Sequence, residues 1–447
     1  MSSKLFSFLN KREEIIKGEI SIVDLVENSI NKITELEPKI KAFANLSKIN
    51  TVELAKKSEK RYRENKQLSI LDGCPFAVKD MINTSDIPTE MNSPYYSNWV
   101  PPVDAACVSA LKKAGAILIG KTVTTPFAVG HTNQTRNPYD QKKTPGGSSS
   151  GSGAAVGAGI IPIALGTQTR GSLLRPASFC GAVGFKPSLN SIHMGGIHPL
   201  SPTLDHIGVI GASVPDAWAA LYIMSQVTGG STAHKPFTKY EIKNKKTNLD
   251  KIAIIKFGEW QNTGADTIKE FQNVIDKIKF SGCDVISIDN DYFEVSEIEE
   301  ELIKIIDTDS MDILAYELDW PYTSYPIEIL DERIIELLDR KKTIDSHKYI
   351  TLIKKRNHLI EKVNSLKNNF DLFISLSSTG PAPQITQSTG SRHFQVPWTY
   401  LGFPSISLPL INIDGMPVGI QILGFKDDDY NLAIKANLIS DIVKNNK

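Results

Sequence analysis

The stretch PGGSSSGSG, which begins at Pro145, constrains the fold of this chain more than any other. Its composition is that of a flexible linker, yet AAVGAGIIPIALG follows at once and is apolar. Small residues belong beside a core segment when backbone and hydroxyl groups must crowd against a buried element. Residues 145–187 read as one unit. The Gly/Ser loop enters an Ala-rich helical turn, then the strand IIPIALG, then a second small-residue loop, GTQTRGS, and finally a helix opened by LLRPASFCG. Two serine-bearing loops flank a helix and a strand, so a returning chain can bring both loops to one edge of a sheet.

The rest of the chain supplies elements for that sheet. With 447 residues, 41% of them hydrophobic, it can bury a large core. Residues 1–70 read as helices, with Val23, Leu25, Val26, Ile30 and Ile33 at helical spacing. Residues 71–230 form the expected catalytic core. Within it, CPFAVKD (74–80) reads as a strand with a lysine near its end. DAACVSALKKAG (104–115) reads as a helix closed by Gly115, and AILIG as the next strand. From about 235 to 370 the pattern is a helical elaboration that starts in the charged KYEIKNKKTNLDK. Residues 371–447 return to the sheet: DLFISLSS and SISLPLI read as strands, and NIDGMPVGIQILG as a hairpin turning at Asp414-Gly415. Strands at both ends imply one α/β domain, 1–447, whose sheet is assembled from distant segments.

Lys plus Arg and Asp plus Glu both total 50, which gives no bulk charge to favour a nucleic-acid or membrane partner. The apolar run Ala154–Leu165 is broken by Gly157, Gly159 and Pro162 and is too short to span a bilayer. The N-terminal MSSKLFSFLNKREEIIKGEI has no signal-peptide apolar region. Cys74, Cys107, Cys180 and Cys283 form no CxxC pair, which predicts free thiols in a reducing cytoplasm. The eight histidines lack metal-ligand spacing, and no metal or cofactor is expected.

Two short motifs match known patterns but fail on context. GAILIGKT (115–122) satisfies the phosphate-loop pattern, yet its middle residues are those of a buried strand, a helix precedes it and none follows. GSSSG (147–151) satisfies the nucleophile-elbow pattern of α/β-hydrolases, but RNPYDQKKTPG precedes it where an apolar strand is required. A serine esterase of that type would recruit Asp205 with His206 or His393, and nothing in the sequence singles these out.

PGGSSSGSGAAVGAGIIPIALGTQTRGSLLRPASFCGAVGFKPS closely resembles the signature of the amidase signature family. PFAVKD, the segment from DAACVSALKKAGAILIGKT to NPYD, SPTLDHIGVIGASVPDAW, VPWTYLGFPSISLPL and DGMPVGIQILG resemble further blocks of that family. The resemblance implies a single α/β domain with a mixed sheet covered on both faces by helices. It also implies amide hydrolysis by a Ser–cisSer–Lys triad: Ser172 as nucleophile, Ser148 as the bridging cis-serine and Lys79 as base. Gly147 would permit the contorted loop and Ser149 would support it by hydrogen bonding. The backbone N–H groups of Thr169, Arg170, Gly171 and Ser172 would receive the oxyanion.

The chemistry needs these residue types. A serine hydroxyl is a poor nucleophile until a base takes its proton. A lysine can be that base when burial lowers its pKa. Spacing alone would instead pair Lys79 with Asp80 as a solvated ion pair, and Ser172 could be a helix N-cap. Cys180 reads as core and Asp205 as a structural partner for a loop.

Two positions depart from the commonest family pattern. Arg170-Gly171 stands where many members have two glycines, and an arginine would be strained there if that site needs positive φ. SLLRP resembles the malonamidase-like branch, which implies that Arg175, helped by Arg170, binds a substrate carboxylate. The competing role for Arg175 is an internal ion pair. The expected function is therefore a cofactor-free cytoplasmic amidase acting on a small, carboxylate-bearing amide through an acyl-enzyme, with a homodimer among the expected assemblies. The alternatives are the amidase component of a tRNA-dependent amidotransferase, an α/β-hydrolase-type esterase, and a non-enzymatic binding protein.

Overall fold

Segments apolar at every position bury both faces of a strand, and such strands lie inside helix-covered sheets. The computed structural model describes residues 5–231, 234–242, 248–257, 259–287 and 293–445. Its strands are β1 (Phe43–Leu46), β2 (Pro75–Lys79), β3 (Ile117–Thr122), β4 (Ile163–Gln168), β5 (Val183–Lys186), β6 (His206–Gly211), β7 (Lys251–Ile254), β8 (Asp284–Ser287), β9 (Leu372–Leu376), β10 (Ser405–Ile413) and β11 (Met416–Leu423). They form one 11-stranded sheet in the order β1-β3-β2-β4-β6-β5-β10-β11-β9-β7-β8. Every residue of β2, β3, β4 and β6 is buried. The molecule is a single large α/β domain with a mixed sheet.

Three parallel strands, β3-β2-β4, form one part of the sheet, and β9-β7-β8 form a second parallel group. Antiparallel pairing joins the two groups. Parallel neighbours need a crossover, usually helical. Helix Ala106–Lys113 supplies it between β2 and β3, and helix Ser150–Gly157 between β3 and β4. GAILIGKT is therefore β3 and its approach, as its apolar middle predicts. The β10–β11 hairpin pairs Ile413 with Met416 across Asp414-Gly415. Both turn residues have positive φ, 51° and 84°, which matches the twist of a two-residue hairpin.

Three strands lie where the sequence reads as helical. β1 pairs antiparallel with β3, Phe43 opposite Thr122. β7 and β8 extend the sheet past β9 within the segment expected to be purely helical. Each has four residues, too few for a period of two to show. Residues 243–247 of KYEIKNKKTNLDK lie outside the described residues.

Candidate active site

Parallel strands β2 and β4 end at the same edge of the sheet, where ligand sites of open α/β sheets form. Lys79 closes β2 and is fully buried. Its neighbour Val78 sits beside Leu165 of β4, which brings the lysine to Thr167, two residues further along. Lys79 Nζ donates to Thr167 Oγ1 at 2.7 Å and to Ser148 Oγ at 2.6 Å. Asp80 does not pair with it: that carboxylate meets the buried Lys121 amine at 3.1 Å. Burial holds the Lys79 pKa well below the ordinary lysine value, opposed by the negative charge of Asp205.

Ser148 is buried, and its peptide bond with Gly147 is cis. The left-handed φ of this loop, 83°, belongs to Gly146 rather than Gly147. Ser149 binds the two loops together. Its N–H donates to Ser172 O at 3.0 Å. Its hydroxyl donates to Thr167 O at 3.2 Å and accepts from Thr167 N–H at 3.3 Å.

Ser172 follows β4 and is only half-buried, unlike Lys79 and Ser148. It is not the cap of helix Leu174–Phe179, whose N-cap position is Leu173. The cap is Gln168, a residue the sequence reading missed. Its Oε1 accepts the N–H groups of Leu173 and Leu174, both at 3.0 Å. Leu173 and Leu174 are thereby held, while the N–H groups of Gly171 and Ser172 meet no acceptor among the described residues. Donors left open in this way suit an oxyanion. Ser148 and Ser172 line one pocket of about 400 Å³. No hydrogen bond joins them among the described residues; in unliganded sites such contacts often tighten only with substrate.

Arg170 is accommodated without strain, because positive φ falls on Gly171 (149°) and not on the arginine. A Cβ on Gly171 would lie 3.1 Å from Arg392 Cβ and from Gln395 Oε1. The Arg170 guanidinium turns to the Ile306 carbonyl and the Met311 sulfur. Thr169 Oγ1 donates to Asp205 Oδ1 at 2.6 Å, and Asp205 also accepts from Leu200 N–H at 2.8 Å and Ser201 N–H at 2.9 Å. Burial raises the Asp205 pKa to about 6.

Arg175 is buried on the pocket wall. It donates to Gly390 O at 2.9 Å, Gly147 O at 2.5 Å and Thr389 Oγ1 at 3.3 Å. These acceptors are all neutral, and its Nε has no partner. An internal Asp or Glu pairing, the competing role for this arginine, is absent among the described residues. Its pKa is lowered to about 9 by burial and then by the like charges of Arg392 and Arg333.

The hydrolase-type alternative finds no assembled triad. His206 is buried against Leu204 O at 2.7 Å, and His393 pairs with Glu259 at 2.9 Å. Ser149, the central serine of GSSSG, bonds to Thr167 instead of a histidine. Cys180 is buried core, and all four cysteines are free. No group of His, Cys, Asp or Glu able to hold a metal occurs among the described residues. No helix there is long and apolar enough to cross a membrane.

The mixed α/β sheet, with two serine hydroxyls lining one pocket and a buried lysine bonded to one of them, is that of a hydrolase that cleaves carbon–nitrogen amide bonds. The Amidase family model matches residues 24–432, and the chain belongs to that family. It is 28% identical to the A subunit of glutamyl-tRNA(Gln) amidotransferase from Clostridium botulinum (strain Alaska E43 / Type E3), with 94% of each chain covered. The native peptide amidase of Stenotrophomonas maltophilia shares the fold at TM-score 0.79 and 22% identity, covering 98% of this chain and 97% of that one. A 6-aminohexanoate cyclic dimer hydrolase complexed with substrate superposes at TM-score 0.83 and 22% identity, covering 99% and 98%. The family match and the amidotransferase relative do not single out the malonamidase-like branch, and the two solved structures show the shared fold.

Proposed function

We propose that this amidase hydrolyses a small carboxylate-bearing amide through an acyl-enzyme on Ser172, with Lys79 as base and Ser148 as relay. The observation that carries the reading is the Lys79 amine: fully buried, bonded to two hydroxyls, and reached from the pocket through Ser148, which lines it together with Ser172. Neutral Lys79 takes the Ser148 proton as Ser148 takes that of Ser172. Ser172 Oγ then adds to the amide carbon, and the N–H groups of Gly171 and Ser172, with those of Thr169 and Arg170 beside them, face the oxyanion. The proton returns through the same relay to the leaving nitrogen, the C–N bond breaks, and water cleaves the ester to a carboxylate. Arg175 holds the Gly147 carbonyl and offers its remaining N–H groups to the substrate carboxylate. The expected setting is the cytoplasm, in keeping with four free cysteines.

The test is ammonia release from a panel of anionic and neutral amides, with Ser172→Ala and a serine-directed phosphonate as controls. Labelling of a residue other than Ser172, or full turnover in Ser172→Ala, would overturn the reading. A second role, as the amidase component of an amidotransferase, is favoured by the amidotransferase relatives that align over 94% of the chain. It requires stable partner chains in a pull-down from the native host.

A further inference from the structure

The arginines on the pocket wall outnumber what one carboxylate needs. Among the described residues five arginines line it: Arg170, Arg175, Arg333, Arg340 and Arg392. Two are committed to the protein. Arg170 turns to Ile306 and Met311, and Arg340 meets the Asp312 carboxylate at 2.6 Å. Arg333 is different. It lies in the first turn of helix Glu332–Lys341, is half-buried, and donates from Nη1 to the neutral Gly130 carbonyl at 3.4 Å. No acidic side chain lies within ion-pair distance of Arg333 or Arg175 among the described residues. Glu336 is the one acidic side chain on the wall among the described residues, three residues along the same helix. It is exposed and forms no ion pair with Arg333.

A buried polar wall is ordinarily satisfied by its own protein. Here the Arg175 Nε and the Thr125 hydroxyl are both buried on the wall with no partner. Arg175 also feels the like charges of Arg333 and Arg392. Two guanidinium groups on one wall with no acidic partner, as Arg175 and Arg333 are among the described residues, suit anions from outside. Arg175 is tied to Gly147, beside the reacting serines, whereas Arg333 projects from a different element.

We infer that the pocket takes a dianionic amide, an amide carrying two carboxylates, one held by Arg175 near the scissile bond and the other by Arg333. This deepens the proposed function and rests on its assignment of the pocket as the substrate site. Arg333 is a specificity-determining residue in this scheme and takes no part in proton transfer.

The probes are glutaramate, with one carboxylate, and the monoamide of propane-1,2,3-tricarboxylate, with two. Calorimetry on Ser172→Ala measures binding without turnover. The dianion is expected to bind about tenfold more tightly than the monoanion, the scale of one charge-assisted hydrogen-bond pair. Adding Arg333→Gln should erase that preference while monoanion affinity stays the same. If Arg333→Gln does not fold, the dianion preference on Ser172→Ala should instead fall steeply between low and high salt, more than monoanion binding does. Equal affinity for the two amides, no binding of either, or a preference that survives Arg333→Gln or high salt would overturn the inference. Turnover by Ser172→Ala would overturn the catalytic assignment alone, because the two affinities can then be compared as the KM values for the two amides.

Discussion

The floor and the roof of the pocket are built from opposite materials. Residues 144–171 of the floor are buried without interruption, and their side chains are mostly Gly, Ser, Thr and Ala. Their positions are set by backbone contacts and short hydroxyl bonds. The roof presents Met311, Arg333, Glu336 and Arg340, all half-buried or exposed. These are long side chains, some held by contacts at their tips, such as that of Arg340 with Asp312. Chemistry that depends on sub-ångström placement sits where the backbone dictates position. In the proposed scheme the second carboxylate is read by Arg333 of the roof, on a helix away from that floor.

The sharpest way to break this comparison is at the proposed nucleophile. Ser172→Ala should lower kcat by about 10⁴-fold or more with little change in thermal stability. A modest loss, measured as ammonia release, would remove the floor from the chemistry. Next is Gly151→Ala. Its Cβ would lie 2.1 Å from Ala42 O and 2.4 Å from Val123 N, both backbone atoms that cannot turn aside. About 3 kcal/mol of destabilisation is expected, seen as a lower Tm in calorimetry. An unchanged Tm would mean the floor is looser than its contacts indicate.

Gln168→Ala frees the N–H groups of Leu173 and Leu174 and loosens the turn that carries Ser172. A cost of about 1–3 kcal/mol should appear mainly in kcat, not KM. The pH profile follows from the proposed role of Lys79, a base only without its proton. Activity should therefore rise with pH through its titration, at a pH below the ordinary lysine value of 10.5. Asp205 favours the charged amine, so Asp205→Asn should move the rising limb to lower pH. A shift to higher pH would show that the carboxylate acts otherwise. The smallest effect belongs to the roof. His131 meets Asp331 at 3.0 Å but is about half exposed, so His131→Ala should change stability by less than about 1 kcal/mol. A larger loss in chemical denaturation would make the roof as rigid as the floor.

Local pattern was enough for much of this. The apolar middle of GAILIGKT marks β3, Asp414-Gly415 marks the hairpin, and PFAVK marks the strand that ends in Lys79. The crowding of glycines and serines after Pro145 marks a packed loop. β1, β7 and β8 escaped because four residues cannot display a strand period. Gln168 escaped because a glutamine ending an apolar strand carries no sign that its side chain turns back to cap the next helix. Asp80 misled because adjacency suggested a pair with Lys79, while its partner Lys121 lies on the neighbouring strand β3.

The chain's order of residues determined by itself that two small-residue loops flank a helix and a strand, and marked the strand that ends in Lys79, since small-residue loops and strand periods are local properties. Only the tertiary structure decided what surrounds them. Arg333 and Arg340 reach the pocket, Met311 receives Arg170, and Asp205 approaches Lys79 through contacts between residues far apart in the chain. Such contacts arise when distant elements pack together, and no local pattern of residues encodes them.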